Sequence, residues 1–294
     1  MYRVDNAVIM AAGTASRFAP LSYERPKALI EVKGEVLIER QIRQLQEAGI
    51  RDIIIVVGYM KECFAYLEEK CGVTIVENTE YLTRNNNSTI FAVKDYLKNT
   101  YICSSDNYFS RNPFESEVDD AYYAAIYADG ETKEWCMTED KEGYIDSVTV
   151  GGRDAWFMLG HTFWTEEFTE RFLRILERIY DEPRTADLLW ESIYMEHLDQ
   201  LKMKIRKYDS DVIFEFDTLD ELREFDESYK ADTRSAILKS IAAQLGCTEE
   251  EIVHVTSYKD GNNAAAGIHF EVGEKRYAYA YKTRQLSAKA PDTV

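Results

Sequence analysis

The chain has 294 residues, enough for a large core in one or two domains, with 45% hydrophobic and 30% charged residues. Its net charge of −18 argues against nucleic acid as a partner, because binding a phosphate backbone needs a basic footprint. No apolar run approaches the ~20 residues that cross a bilayer. The opening "MYRVDNAVIM" carries no secretory leader, so the expectation is a cytoplasmic protein without membrane insertion.

Short apolar runs alternate with helix-period segments through the first 110 residues. "AVIMAA" predicts a strand. "VLIERQIRQLQEAG" predicts a helix whose Leu37, Ile38, Ile42 and Leu45 share one face and which stops at Gly49. "DIIIVVG" is a β-branched run of the kind found in strands covered on both faces. "KECFAYLEEKCG", "VTIVEN", "NSTIFAVKDYL" and "TYICSSD" continue as helix, strand, helix and strand. This alternation predicts a parallel sheet with helices on both faces, whose ligands bind beyond the carboxyl ends of the strands. "AYYAAIYA", "EWCMTED", "YIDSVTV" and "AWFMLGHTFW" read as antiparallel strands joined by turns. Helices are expected at "TEEFTERFLRILERIYD" and "TADLLWESIYMEHL", strands at "MKIRKY" and "VIFEF", and a helix at "TLDELREFDESY".

Residues 231–294 hold eight Lys and Arg against eight Asp and Glu, so the whole acidic excess lies in the first 230 residues. That shift sets the expected boundary between a domain at 1–230 and a small α+β domain at 231–294, with one helix ("SAILKSIAAQLG") and three strands. The five cysteines are scattered and lack metal-ligand spacing, which reads as reduced thiols. The four histidines form no constellation with a serine or cysteine, so no nucleophilic triad is expected.

The stretch "AAGTASRFAPLSYERPKAL" (residues 11–29) leaves the first strand through small residues and two cations. With no Cβ at Gly13 and small side chains around it, backbone N–H groups are open to a phosphate. Arg17 adds a planar fork of donors and Lys27 a point charge, both suited to phosphate oxygens. Pro20 and Pro26 stiffen the loop. The pattern is neither GxxxxGK[ST] nor GxGxxG.

These residues resemble the AAGxxSRxxPLT…PKxL signature of nucleotidyltransferases that activate sugar phosphates and choline phosphate, with Ser22 for the usual Thr. "IERQIRQLQEAGIRDIIIVVGYMKECFAYL", "NNNSTIFAVK", "SSDNYF", "EWCM", "GHTFW", "DLLWES" and "FEFDTLDEL" follow in order the pattern of bacterial CTP:phosphocholine cytidylyltransferases, over about residues 5–228. The resemblance implies a three-layer Rossmann-like mixed-sheet nucleotidyltransferase fold and Mg²⁺-dependent transfer of CMP from CTP to phosphocholine. It implies that Lys27 faces the α-phosphate, that Ala12, Gly13, Thr14, Ser16 and Arg17 cradle the triphosphate, and that Asp106 and Asp217 hold the metal. Asn85 and Asn86 of "RNNNST" are then expected at the nucleotide. Trp135, Asp187 and Trp190 resemble the choline-pocket positions. Leu189 stands where the family can carry an aromatic, leaving Tyr122 or Tyr127 to complete an aromatic cage for the quaternary ammonium.

The tail resembles, faintly, the opening strands of choline kinase-type phosphotransferases, but it lacks an HxD loop and a DxD metal site. A vestigial fusion and a dimerisation or capping module both fit it, and a homodimer is left open. Two other functions remain at this level, a sugar-1-phosphate nucleotidyltransferase and a non-catalytic module that senses nucleotide or choline phosphate. Arg17, Lys27, Asp106 and Asp217 together favour catalysis over sensing.

Overall fold

The computed structural model describes residues 1–261 and 264–289. Contacts divide the chain into two compact units. The first comprises Met1–Gly13 and Val36–Glu215, and the second joins Thr14–Glu35 to the chain from Phe216 onward. The compositional break at residue 231 therefore falls inside the second unit.

The first unit is built on a seven-stranded mixed sheet. Its strands are β1 (Asn6–Ala11), β2 (Ile53–Val57), β3 (Thr74–Glu77), β4 (Thr100–Ser104), β5 (Tyr122–Glu139), β6 (Ile145–Trp164) and β7 (Lys204–Lys207), in the spatial order β7-β5-β6-β4-β1-β2-β3. The strands β4, β1, β2 and β3 are parallel neighbours, as the alternation of apolar runs and helical segments requires. Val8 lies level with Ile54 and Ile102 across the sheet, so one face presents Val8, Ile54, Val56 and Ile102. These pack with Ile90 of helix α2 (Asn87–Ala92) and with Phe172, Ile175 and Leu176 of helix α3 (Glu166–Ile179). The opposite face, with Ala7, Ile9, Ile55 and Cys103, is equally buried. This is the mixed-sheet nucleotidyltransferase arrangement expected from the sequence.

Two local signals act as expected. Helix α1 (Leu37–Glu47) buries Leu37, Ile38, Ile42 and Leu45, and Gly49 takes a positive φ of 87° just beyond its end. Thr165 caps α3 by accepting from the Phe168 amide, a contact of about 1 kcal/mol. The middle of the chain differs from expectation. The four separate runs merge into one long hairpin, β5 with β6, whose pairing is shifted at several irregularities. Positive φ angles at Gly130, Gly151 and Asp154 lie in or beside these shifts, which absorb the turn-like residues without ending the strands.

In the second unit Thr218 and Glu221 form a reciprocal capping box that starts helix α4 (Leu219–Phe225). Helix α5 (Ala236–Leu245) is capped by Ser235 and stopped by Gly246 in the left-handed region. Four antiparallel strands come next in meander order: β8 (Ile252–Lys259), β9 (Ala265–Val272), β10 (Lys275–Ala280) and β11 (Gln285–Lys289). The fourth, "QLSAK", is the strand that the three-strand expectation omits. No helix among the described residues is long and apolar enough to cross a membrane. All five cysteines are free thiols.

His161 is fully buried among Tyr101, Phe109, Phe114, Tyr122 and Tyr208, and its Nε2 is 2.8 Å from the Tyr122 hydroxyl. Burial lowers its pKa to about 3, so the folded protein keeps a neutral imidazole that the unfolded chain protonates below its ordinary value near 6.5. This contribution to stability is therefore complete above about pH 6.5 and falls as the pH drops towards 3. Denaturant titrations of wild type and His161→Gln should show an extra slope of about 1 kcal/mol per pH unit in the wild type between pH 6 and 5. Equal slopes would exclude a buried neutral histidine.

Candidate active site

In the first unit, β1 and β4 run parallel with Met10 level with Ser104, so Gly13 and Asp106 leave the same end of the sheet. The turn that carries Asp106 is fixed from two sides. Ser104 Oγ donates to Asp106 Oδ1 at 2.6 Å. The buried Gln41 amide of α1 donates to the carbonyls of Ser104 and Asn107 at 2.8 and 2.9 Å. Each such bond contributes about 1 kcal/mol, and losing Gln41 leaves two carbonyls without that donor.

Gly13 is exposed, has no positive φ, and has nothing within 4 Å of the place a Cβ would occupy. The fold itself therefore does not demand glycine here; the open space suits a partner that approaches the backbone from outside. Gly58 is the contrast, since a Cβ there would meet the Tyr81 ring at 2.7 Å and the Ala12 carbonyl at 3.0 Å. Ala12 is buried, whereas Thr14 and Ser16 are exposed. Ala15 stands between them with φ 45° and ψ 47°, a left-handed conformation that costs a non-glycine residue about 1 kcal/mol or more.

In the second unit the two cations of the loop converge on one carboxylate. Arg17 Nη1 lies 2.7 Å from Asp217 Oδ2, and Lys27 Nζ lies 3.7 Å from Asp217 Oδ1. The Arg17 side chain is 74% exposed, whereas that of Lys27 is 6% exposed. Phe18, whose ring centroid is 5.5 Å from Lys27 Nζ, covers it. A buried ammonium needs a counter-charge, and Asp217 supplies it. Asp217 is in turn held by its own chain, because Glu221 of the capping box accepts from its amide at 2.7 Å. Capping box and buried lysine thus define one cationic cluster around a carboxylate.

The asparagine run ties α2 to the segment 185–191. The Asn85 backbone amide donates to the Ala186 carbonyl, and its Nδ2 donates to the Asp187 carbonyl at 3.1 Å. Asn86 accepts from the Trp190 amide at 2.7 Å and donates to Glu191 at 3.0 Å. Asn87, fully buried, donates to the carbonyls of Thr185 and Leu188. Asn85 and Asn86 are thus brought together with Asp187 and Trp190. Asp187 is exposed, but Trp190 is 0% exposed, stacked on Tyr123 at 5.8 Å and set edge-on to Trp164 at 5.1 Å. Trp135 is half-buried against the same apolar cluster. Tyr122 is committed to His161, whereas Tyr127 is exposed and rests against Trp156.

Glu191 is the residue the sequence does not single out. Burial pushes its carboxyl up to about 7, partly offset by hydrogen bonds with Asn86 and Tyr123. In "LLWES" it reads as a solvated helix residue; only the position of Asn86, over a hundred residues earlier, makes it part of the network. Among the described residues no group of three or more His, Cys, Asp or Glu is placed to hold a metal.

The asparagine clamp predicts unequal costs. Asn87→Ala should destabilise by about 2–3 kcal/mol, because one buried and one part-buried carbonyl lose their donor, and exposed Asn85→Ala by about 1 kcal/mol or less. Urea denaturation of both variants checks this, and equal losses would break the argument.

A family profile described as a MobA-like NTP transferase domain matches residues 7–108. The choline-phosphate cytidylyltransferase of Streptococcus pneumoniae is 33% identical over 76% of this chain and 98% of its own length. The 2-aminoethylphosphonate cytidylyltransferase of Lancefieldella rimae is 37% identical over 76% of this chain and 93% of its own. The solved structure of the Streptococcus pneumoniae CTP:phosphocholine cytidylyltransferase superposes with a TM-score of 0.74, covering 77% of this chain and 99% of that one. By its sheet, its signature loop and this near-complete coverage of its relatives, the chain belongs to the bacterial choline-phosphate cytidylyltransferase family of nucleotidyltransferases.

Proposed function

We propose that this chain transfers CMP from CTP to phosphocholine, giving CDP-choline and pyrophosphate, as a Mg²⁺-dependent cytoplasmic enzyme. The observation that supports it is the convergence of Arg17 and Lys27 on Asp217 in a chain of the cytidylyltransferase family. An oxygen of the phosphocholine phosphate attacks the α-phosphorus of CTP. A P–O bond forms to that oxygen as the bond to the β-phosphate oxygen breaks, and its electron pair leaves with pyrophosphate. The nucleophile is already anionic near neutral pH, so no side chain need take a proton, and the protein acts by positioning and by charge.

In this reading Ala12, Gly13, Thr14 and Ser16 border the triphosphate, and Asn85 and Asn86 lie towards the base. Lys27 and Arg17 stabilise charge on the reacting phosphates; their hold on Asp217 keeps both cations ordered before substrate arrives. Asp106 and Asp217 are the carboxylates that would hold Mg²⁺. They are hard oxygen donors, and magnesium commonly takes one or two carboxylates and completes its shell with water and phosphate oxygens. When bound, the ion neutralises charge on the triphosphate and the departing pyrophosphate. Trp135 and Asp187 are assigned to the choline group, and Trp190, whose ring is 0% exposed, backs them from the core. A quaternary ammonium donates no hydrogen bond and is held by aromatic faces and carboxylates.

A second acceptor, 2-aminoethylphosphonate, is favoured by the 37% identity of the Lancefieldella rimae relative. Its primary ammonium donates three hydrogen bonds, so it would draw on carboxylates such as Asp187 more than on an aromatic face. Pyrophosphate release with CTP should be fastest with phosphocholine and slower with 2-aminoethylphosphonate, phosphoethanolamine and hexose 1-phosphates. Turnover confined to 2-aminoethylphosphonate would transfer the assignment to that acceptor, and turnover confined to a hexose 1-phosphate would refute both.

Three variants test the residue roles. Gly13→Ala should leave stability within about 1 kcal/mol of wild type or raise it slightly, while raising the CTP KM about tenfold by filling the open space. Trp135→Ala should raise the phosphocholine KM about tenfold and leave the CTP KM nearly unchanged; equal rises would make Trp135 a core residue only. Asp106→Ala should cost several kcal/mol of transition-state stabilisation in kcat/KM, read by metal titration of turnover.

A further inference from the structure

Residues 14–35, which carry both loop cations, share the second unit with the C-terminal tail. The loop meets the tail, and the residues 226–229 just before it, through specific contacts. The Tyr23 ring stacks on Tyr281 with centroids 4.0 Å apart and planes at 19°. Glu24 Oε1 accepts the Ile237 amide at 3.1 Å, in the first turn of α5, where a helix has unsatisfied N–H groups. The Glu31 carbonyl accepts from Tyr229 Oη at 2.6 Å and from Arg234 Nη1 at 2.9 Å. The Lys33 amide donates to Asp226 Oδ2 at 2.7 Å. Strand β8 lies against the Ser16–Phe18 turn that holds Arg17.

These anchors begin at the turn that holds Arg17 and lie on both sides of Lys27 in sequence. Strand β8 meets the segment at Arg17; Tyr23 and Glu24 lie between Arg17 and Lys27; Glu31 and Lys33 come after Lys27. The segment has little regular structure of its own. Its helical parts are a three-residue 3₁₀ turn, a four-residue helix and a second 3₁₀ turn. Short pieces of that kind are marginal alone and take their conformation from what they pack against. Here the partner is the tail.

We propose that the C-terminal tail is a positioning element for catalysis: through Tyr281, the start of α5, and Arg234, it sets the conformation of residues 16–33 and thereby the placement of Arg17 and Lys27. The proposal rests on the reading of this loop as the site of nucleotidyl transfer. In this role Tyr281, Glu24 and Arg234 are positioning residues that act through the loop's conformation. This gives the tail a role in the transferase reaction without any chemistry of its own.

The test uses the full chain and four variants, each assayed well below its own melting temperature. Tyr281→Ala removes the stack and Tyr281→Phe keeps it; Glu24→Ala removes the acceptor for the Ile237 amide and Glu24→Gln keeps one. The alanine variants should lower kcat/KM for CTP about tenfold with the acceptor KM unchanged, since a small misplacement of a charged group is costly. The conservative variants should stay within about twofold of wild type. Amide hydrogen exchange in residues 16–33 should speed up in the alanine variants only. Alanine variants with wild-type kcat/KM and wild-type exchange would overturn the proposal, as would a lowered melting temperature with no change in either readout. If wild type releases no pyrophosphate from CTP with any acceptor, the functional reading fails instead, and the exchange of residues 16–33 still decides whether the tail sets the loop.

Discussion

A nearly buried lysine is the constraint around which the second unit is arranged. The Lys27 side chain is 6% exposed, and an ammonium taken that far from water is unfavourable unless an anion stands beside it. Asp217 is that anion, 3.7 Å away, and it also holds Arg17 at 2.7 Å. Its position is not left to a flexible loop. It directly precedes Thr218, whose capping box with Glu221 fixes the start of α4 and engages the Asp217 amide. One carboxylate thus keeps two cations of the signature loop in place.

The first unit meets a similar demand by other means. Its parallel strands bring Gly13 and the Asp106 turn to one end of the sheet, and amide side chains fix the segments around that end. Gln41 holds the Asp106 turn from α1, and the asparagines at 85–87 hold the segment 185–191 at the start of α2. Amides are suited to this because each is donor and acceptor at once and carries no charge to desolvate. The Asp106 turn and the segment that carries Asp187 and Trp190 therefore both rest on uncharged side chains.

Much of this was legible in the sequence because it is written locally. The β-branched run Ile53–Val57, the apolar stripe Leu37–Leu45 and the cap at Gly49 each report on their own few residues, and the signature loop is contiguous. What was hidden depends on distant partners. Glu191 looks like a helix surface residue until Asn86 and Tyr123 are seen beside it. Trp190 looks like a ligand contact by its motif, yet its ring is stacked in the core. The four middle strands merge because irregularities in the pairing accommodate residues such as Gly130 and Gly151 without ending the strands. The fourth tail strand lacks β-branched residues, and its pairing with β10 defines it instead. Composition placed a break at residue 231, but charge says nothing about which earlier segment the tail packs with.

The neutrality of the tail bears on how an anion reaches the loop. All of the −18 lies in the first 230 residues, and residues 231–294 balance at eight charges of each sign. In the proposed reaction, a nucleoside triphosphate arriving at residues 16–27 therefore meets a neighbouring module that adds no net repulsive potential at long range. Had the tail shared the acidity of the body, encounter would be slowed at low ionic strength, where charges act over tens of ångströms. Charge neutrality in the tail packed against the loop thus preserves the local field of Arg17 and Lys27, and with it the association rate of a polyanionic substrate with an acidic protein.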